Sequence, residues 1–363
     1  MRHLDPTQPV RQGEELDTRA LGAYLRERIP GWQGKELHVE QFPRGYSNLT
    51  YLVRCGAEEW VLRRPPFGAK GIRAGHDMGR EFRILSRLYT VYPPAPRPIV
   101  FCEDEGVMGA PFYVMERKKG IILRKDPPEG LAMDAQTAER LCCSLVDNLA
   151  AVHRIDYEAV GLGDLGRPEG FLARQVKGWA ERFEKAQTDP IPEVASVVRW
   201  CEENVPESPA PALIHNDYKF DNVVLDPGDL ARIVGVLDWE MSTVGDPLLD
   251  LGVTLSYWVQ RDDPAELQMV RTLPTNLEGA LTRRQIVERY VRAGGRDAAH
   301  VVFYYAFALF KLAVIAQQIY YRYAKGFTRD ERFALMLPGA MILTKYAWKA
   351  IQGNSIQFDG EGT

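Results

Sequence analysis

Eight consecutive residues constrain this chain more than any other stretch: His215, Asn216, Asp217, Tyr218, Lys219, Phe220, Asp221 and Asn222, written IHNDYKFDNVVLD with their flanks. The runs on either side are apolar and read as short strands, and GVLDWE, Gly235 to Glu240, follows closely. A set of carboxylates, amides, an imidazole and an ammonium packed between strands is either a solvated turn or a site that holds metal and phosphate.

The hydrophobic period divides the rest of the chain. DTRALGAYLRERIPGW spaces Leu21, Leu25 and Ile29 four apart, which predicts a short amphipathic helix closed by Pro30 and Gly31. ELHVEQF, NLTYLVRC and EWVLRRP are short, β-rich and separated by turns, the pattern of an antiparallel meander. GREFRILSRLY predicts a helix with Phe82, Leu85 and Leu88 on one side, and PIVFCED and PFYVMER predict two more strands around the turn EGVMGA. After Lys119 helices take over. AQTAERLCCSLVDNLAAVHRI lines up Leu141, Leu145, Leu149 and Val152. TRRQIVERYVRAGG opens with Thr282 and Gln285 in capping-box spacing, and TRDERF repeats the spacing with Thr328 and Glu331. The run from Val301 to Tyr321 is apolar enough to resemble a membrane span, but Lys311, Gln317 and Gln318 would be costly in lipid, so a buried core helix is expected. The fold class is α+β. Residues 1–35 form an extension with a short helix, 36–116 a β-rich lobe, 117–352 a helical lobe with an embedded strand pair, and 353–363 a polar tail.

Composition narrows the function. A formal net charge of -4 gives no basic field to draw a polyanion, so no nucleic-acid partner is indicated, and no membrane partner follows from the apolar run. Five cysteines without C-x-x-C spacing predict buried thiols in a reducing compartment rather than a zinc site. The opening MRHLDPTQPVRQGEELD lacks the apolar stretch of a signal peptide, and the expected location is cytoplasmic.

The eight-residue element has the H-x-D-x-x-x-x-N spacing of a kinase catalytic loop, and Asp238 arrives on the following strand where a second metal-binding carboxylate is expected. On these motifs the chain resembles the aminoglycoside phosphotransferase family, a branch of the protein-kinase-like two-lobe fold. It is most similar to the subgroup related to kinase domains fused to acyl-CoA dehydrogenases. The resemblance implies a nucleotide-binding β lobe. Gly45, Ser47, Asn48 and Thr50 stand where kinases carry their glycine-rich loop, with Ser47 and Thr50 in place of later glycines. Val61 and Arg63 stand on the V-A-I-K strand, arginine replacing the usual lysine, and Arg64 points to the opposite face. Glu81 is the implied ion-pair partner of Arg63; Met115 would lie beside adenine, with the backbone from Glu116 to Lys118 bonding the base.

The same resemblance gives Asp217 the role of accepting the substrate hydroxyl proton, and Lys219 that of contacting the γ-phosphate. Asn222 and Asp238 would offer hard oxygen ligands to Mg2+. Asp221 and His215 are read as ordering the loop, Asp250 as accepting from its backbone, Asp246 as a helix cap and His153 as structural. The implied activity is ATP- and Mg2+-dependent phosphorylation of a hydroxyl on a small molecule. Two alternatives stay open: a nucleotide-binding pseudokinase without transfer activity, and a metal-dependent hydrolase with metal on His215. Aromatic residues crowd the implied acceptor regions, Phe171 to Trp200 and Ser256 to Tyr323, and Arg261, Lys311 and Arg322 add positive charge there, which favours a neutral or anionic acceptor over an aminoglycoside.

Overall fold

Period-two alternation in the first third of the chain produces a sheet with two differently used faces. The computed structural model describes residues 5–29, 36–43, 48–67, 77–328 and 330–358, and divides into two compact units. The first takes the chain up to Ile122, with Val160–Leu162 and Asn222–Met241. Helix α1 (Thr18–Arg26) opens it; the Asp17 carboxylate accepts from the N–H groups of Arg19 and Ala20, satisfying two donors that a helix start leaves unpaired. Strands β1 (Leu37–Gln41), β2 (Leu49–Cys55) and β3 (Glu58–Arg64) form the expected meander. Helix α2 (Met78–Leu88), strand β4 (Pro98–Cys102), the single-turn α3 (Glu105–Met108) and β5 (Phe112–Glu116) complete a five-stranded antiparallel sheet in the order β1-β2-β3-β5-β4. The segment read as the turn EGVMGA therefore contains a helical turn, nucleated by Asp104 accepting from Gly106 N–H and ended by Gly109 at φ 76°.

Tyr51, Val53, Trp60, Leu62 and Val114 share a core with Leu21, Leu25 and Ile29 of the α1 region. Each buried side chain of this size contributes about 1.5–3 kcal/mol of hydrophobic stabilisation. The other face follows from the register. Thr50 pairs with Arg63 and Arg63 with Tyr113, while Leu52 pairs with Val61 and Val61 with Met115. Directly opposed residues share a face, so Thr50, Val61, Arg63 and Met115, four of the residues picked from sequence, lie together. Helix α2 turns Met78, Glu81, Ile84, Leu85 and Leu88 inward. Phe82 is only half-buried, and the inward polar position belongs to Glu81, a stripe shifted by one residue from the expected one.

The second unit is mainly helical. Helix α4 (Ala135–His153) buries Leu141, Leu145, Leu149 and Val152 as its period requires, followed by α5 (Phe171–Ala186), α6 (Val194–Glu203) and strand β6 (Ala212–Ile214). Strands β7 (Val223–Asp226) and β8 (Asp229–Val236) then form a hairpin that lies inside the helical half in chain order but groups with the first unit by its contacts. Ile121 exchanges both backbone hydrogen bonds with Leu225, at 2.9 and 2.8 Å. Gly120 allows this approach, since a Cβ there would lie 2.3 Å from the Leu225 carbonyl oxygen. Strand β9 (Thr243–Gly245) returns to pair with β6, so the runs flanking the catalytic-loop sequence pair with different partners.

Helices α7 (Pro247–Ser256), α8 (Ala265–Met269), α9 (Arg283–Arg292), α10 (Val301–Ala324) and α11 (Met336–Gly353) complete the second unit. Asp246 caps α7 through Leu248 N–H, and the capping box of Thr282 and Gln285 opens α9, both as expected. The second expected box is absent: Asp330, not Thr328, caps the 3-10 turn Glu331–Leu335 by accepting from Arg332 N–H. A carboxylate one residue before the turn is the better placed acceptor. Helix α10 is long and apolar enough to cross a membrane by length and composition, and 67% of its most apolar window is buried against neighbouring elements. Its apolar surface runs nearly all round because α5, α7 and α11 all pack on it.

Candidate functional site

In the first unit several of the residues singled out from sequence converge on Arg63. Its Nη1 donates to Glu81 Oε1 at 2.8 Å; its Nη2 donates to Asp238 Oδ1 at 2.9 Å and Glu240 Oε2 at 3.1 Å. The Arg63–Glu81 ion pair inferred from sequence is thus present, with the two side chains 8% and 1% exposed. A planar guanidinium presents donors along two edges, so arginine can hold carboxylates from α2 and from the segment after β8 together. Asn48 Nδ2 donates to Glu240 Oε2 at 2.5 Å, and Arg80 Nη1 donates to the Glu240 carbonyl at 2.8 Å. The sequence pattern assigns Glu240 no role. The signal available was a second acid two residues after Asp238.

Burial pushes the Glu240 carboxyl up to about 8, Asp238 adds to the shift, and Arg63 works against it. Burial opposes the charge of Arg63, but Glu81, with Asp238 and Glu240, outweighs it and raises the pKa. The Glu81 carboxyl is raised by burial despite its guanidinium partner. Asp238 sits at φ 67°, in the left-handed region that non-glycine residues occupy at a cost of about 1–3 kcal/mol and that clusters at functional sites. Val223 pairs with Val236, and the Leu237 N–H extends the ladder to the Asn222 carbonyl at 2.8 Å. Asn222 therefore lies across from Leu237, with Asp238 one residue further.

At the end of β5, Met115 is buried and the Glu116 N–H donates to the Arg97 carbonyl at 2.8 Å. That donor is committed to the sheet, leaving the main chain toward Lys118 for any base. Lys118 Nζ pairs with Glu116 Oε2 at 3.1 Å and donates to the Pro93 carbonyl at 3.1 Å. Arg64 turns to the α1 face as alternation requires, donating to the carbonyls of Pro65 and Met108. Gly45 and Ser47 lie outside the described residues.

In the second unit Asp250 organises the loop that carries Asp217. Asp250 is fully buried; its Oδ2 accepts from His215 N–H and its Oδ1 from Asn216 N–H, each at 2.7 Å. His153 Nε2 lies 3.1 Å from the same carboxylate, and His153 Nδ1 lies 2.7 Å from the Tyr290 hydroxyl. Burial works to raise the Asp250 pKa, but the hydrogen bond and charge of His153 and the charge of His215 outweigh it and hold it low. Asn216 at φ 67° makes the sharp bend, and Asp217 N–H donates to His215 Nδ1 at 3.3 Å. Tyr218 anchors the far side: its hydroxyl donates to the Leu145 carbonyl at 3.0 Å, and Thr254 Oγ1 donates to its carbonyl at 2.8 Å. Arg124 pairs with Asp221 at 3.4 Å. These bonds satisfy the loop with backbone and buried partners and leave Asp217 to meet Lys219, whose Nζ lies 2.5 and 2.6 Å from its two carboxylate oxygens. Burial disfavours the Lys219 charge, yet Tyr257, whose ring lies 4.7 Å from Nζ, and Asp217 outweigh it and raise its pKa.

Among the described residues no group of three or more His, Cys, Asp or Glu is arranged to hold a metal by itself. His215, buried and with Nδ1 engaged by Asp217 N–H, is placed as a loop brace. Asn222, immediately before β7, and Asp238, two residues past the end of β8, flank the same end of the hairpin, and both carry hard oxygen donors of the kind Mg2+ accepts, an ion that uses one or two protein ligands and takes the rest from water and phosphate.

A buried lysine-position cation paired with a helix glutamate, a carboxylate after the hairpin, and an H-x-D loop braced by a buried aspartate define a phosphotransferase of kinase-like fold. The sequence model of the phosphotransferase enzyme family (APH) matches residues 38–283. The chain belongs to that family. It is 34% identical over 324 residues to acyl-CoA dehydrogenase family member 11 of Rattus norvegicus, a match covering 87% of this chain and 41% of that protein. The chain thus spans about two-fifths of the length of that relative. Among solved structures, a putative aminoglycoside phosphotransferase from Ralstonia eutropha superposes with a TM-score of 0.76 at 30% identity, covering 92% of this chain and 99% of that one. Choline kinase from Cryptosporidium parvum superposes at 0.65 with 14% identity, over 94% and 98% of the two chains, a likeness of fold.

Proposed function

We propose that the protein transfers the γ-phosphate of ATP to a hydroxyl of a small molecule in a Mg2+-dependent reaction. The observation that carries this reading is the loop around Asp217: Asp250 fixes its backbone through two N–H groups, and Asp217 has a cation at hydrogen-bond distance from both of its oxygens. So elaborate a brace is not needed for a solvated turn. Asp217 acts as the general base, accepting the proton of the acceptor hydroxyl and aligning its oxygen. Lys219 holds both carboxylate oxygens of Asp217 at hydrogen-bond distance and offers its charge to the transferring phosphoryl group. Arg63, locked by Glu81, binds phosphate oxygens, and the face carrying Thr50, Val61 and Met115 takes the nucleotide, with the backbone between Glu116 and Lys118 bonding the base. Gly45, Ser47 and Asn48 contribute main-chain donors to the phosphates. Asn222 and Asp238 would hold Mg2+, which neutralises phosphate charge. The proposed location is cytoplasmic.

Mg2+-dependent ADP release across a panel of hydroxylated metabolites tests the reading. Transfer to at least one alcohol is expected. Nucleotide binding with no transfer to any of them would favour the pseudokinase alternative, for which the arginine at position 63 is the specific departure.

A further inference from the structure

Helix α10 carries a charge that the apolar interior does not explain. Lys311 is 7% exposed, and among the described residues its Nζ has neither a hydrogen-bond acceptor nor an ion-pair partner. Its nearest recorded companion is the Trp179 ring of α5, with Nζ 5.4 Å from the centroid. Arg182, one turn along α5, lies with its guanidinium carbon 4.6 Å from the same centroid and is likewise without an ion-pair partner. Two cations thus flank one indole with no carboxylate in contact. Burying an unpaired ammonium is expensive, and proteins retain such groups where a ligand completes the pair.

The packing says where this ammonium is: α10 lies against α5, which carries Trp179, and against α7, whose Asp250 holds the loop of Asp217. Burial lowers the Lys311 pKa to about 8; Asp250 and Asp217 act in the opposite sense, and Arg182 adds to the lowering. The carboxylate assigned as general base is therefore among the few charges whose field reaches Lys311. No acidic residue on α5 or α10 contacts either cation, whereas a site for polyamines would place carboxylates there.

We propose that Lys311, with Arg182 and the Trp179 ring, binds an anionic group, carboxylate or phosphate, on the alcohol whose hydroxyl Asp217 deprotonates. The acceptor is thus an anionic alcohol, and Lys311 determines that specificity. This rests on the phosphotransferase reading above. An unpaired buried ammonium costs stability that a methionine in its place would not, and it contributes to function only when the anion arrives.

The test uses the full chain and Lys311→Met. Transfer from Mg·ATP is measured on hydroxy carboxylates, on phosphate-monoester alcohols such as glycerol phosphate, and on their neutral amide and amino-alcohol counterparts. The wild type is expected to favour one of the two anionic sets, which also identifies the anion. Lys311→Met should raise KM for that set by about 10- to 100-fold, the range of a hydrogen bond to a charged group, with KM for ATP unchanged and Tm equal or higher. Preference for neutral or amino alcohols overturns the inference, as does a variant with lowered Tm and no selective change in acceptor KM. Should no compound be phosphorylated, thermal shifts with the anionic alcohols alone decide: a shift lost in the variant supports the anion site without the transfer reading, and no shift in the wild type overturns it.

Discussion

The two charged clusters are built on opposite principles. Around Arg63 one guanidinium is shared among three carboxylates, one from α2 and two from the segment after β8, and the participating side chains of Arg63, Glu81 and Glu240 are all less than a tenth exposed. Around Asp217 the charges are two residues apart on one loop, the side chains are 15% and 26% exposed, and stiffness comes from main-chain bonds to Asp250. The first is a lock whose members cannot be removed singly without stranding a buried charge. The second is a presentation device, where the reacting group can be altered while its support stays intact. Stability and chemistry should therefore separate between them on mutation.

The largest expected effect tests that separation directly. Asp217→Asn should lower turnover by on the order of 10²-fold or more, as for loss of a general base, while Tm and the nucleotide-induced thermal shift stay near those of the wild type. Near-normal turnover would remove Asp217 from the mechanism and erase the contrast. Arg63→Met should do the reverse, costing about 3–5 kcal/mol of stability by leaving Glu81 buried without its partner, measured by urea unfolding; an unchanged midpoint would show that the lock contributes nothing. Gly120→Ala should cost about 1–3 kcal/mol because its Cβ must push the Leu225 carbonyl away. The smallest effect is a pH slope. With its pKa lowered to about 8 from an ordinary 10.5, Lys311 binds fewer protons folded than unfolded across that window. The Lys311 contribution, read as the wild-type slope minus that of Lys311→Met, should make stability rise with pH there by up to about 1.4 kcal/mol per unit; the buried thiols of Cys142 and Cys201, pushed up to about 12, act in the opposite sense in both proteins and cancel from the difference. A difference of opposite sign would mean that the ammonium is paired in the folded protein.

Local patterns carried much of this into view. The β1–β3 meander, α4, α10, the α9 capping box and the Arg63–Glu81 pair were all legible, because each depends on short-range period, cap chemistry or a motif spacing. The roles of Asp250 and Asp246 were also legible once the resemblance was drawn. What escaped was what depends on residues distant in sequence. The β6–β9 pairing joins segments with ordinary short apolar patterns. Glu240 looked like any acid near a strand end until Asn48, Arg63 and Arg80 closed around it, and Asp330 displaced Thr328 as a cap through a one-residue difference in placement.

By itself the sequence determined the family, the alternating strands and amphipathic helices, and the identity of each charged residue, since hydrophobic period and motif spacing are properties of neighbouring letters. Only the tertiary structure decided which charges meet: that one arginine serves three acids, that Asp250 holds the loop by its backbone, and that Lys311 pairs with no anion among the described residues. The physical reason is that the strength of a charge interaction depends on burial and on distances of a few ångströms, and both arise only when remote segments pack together.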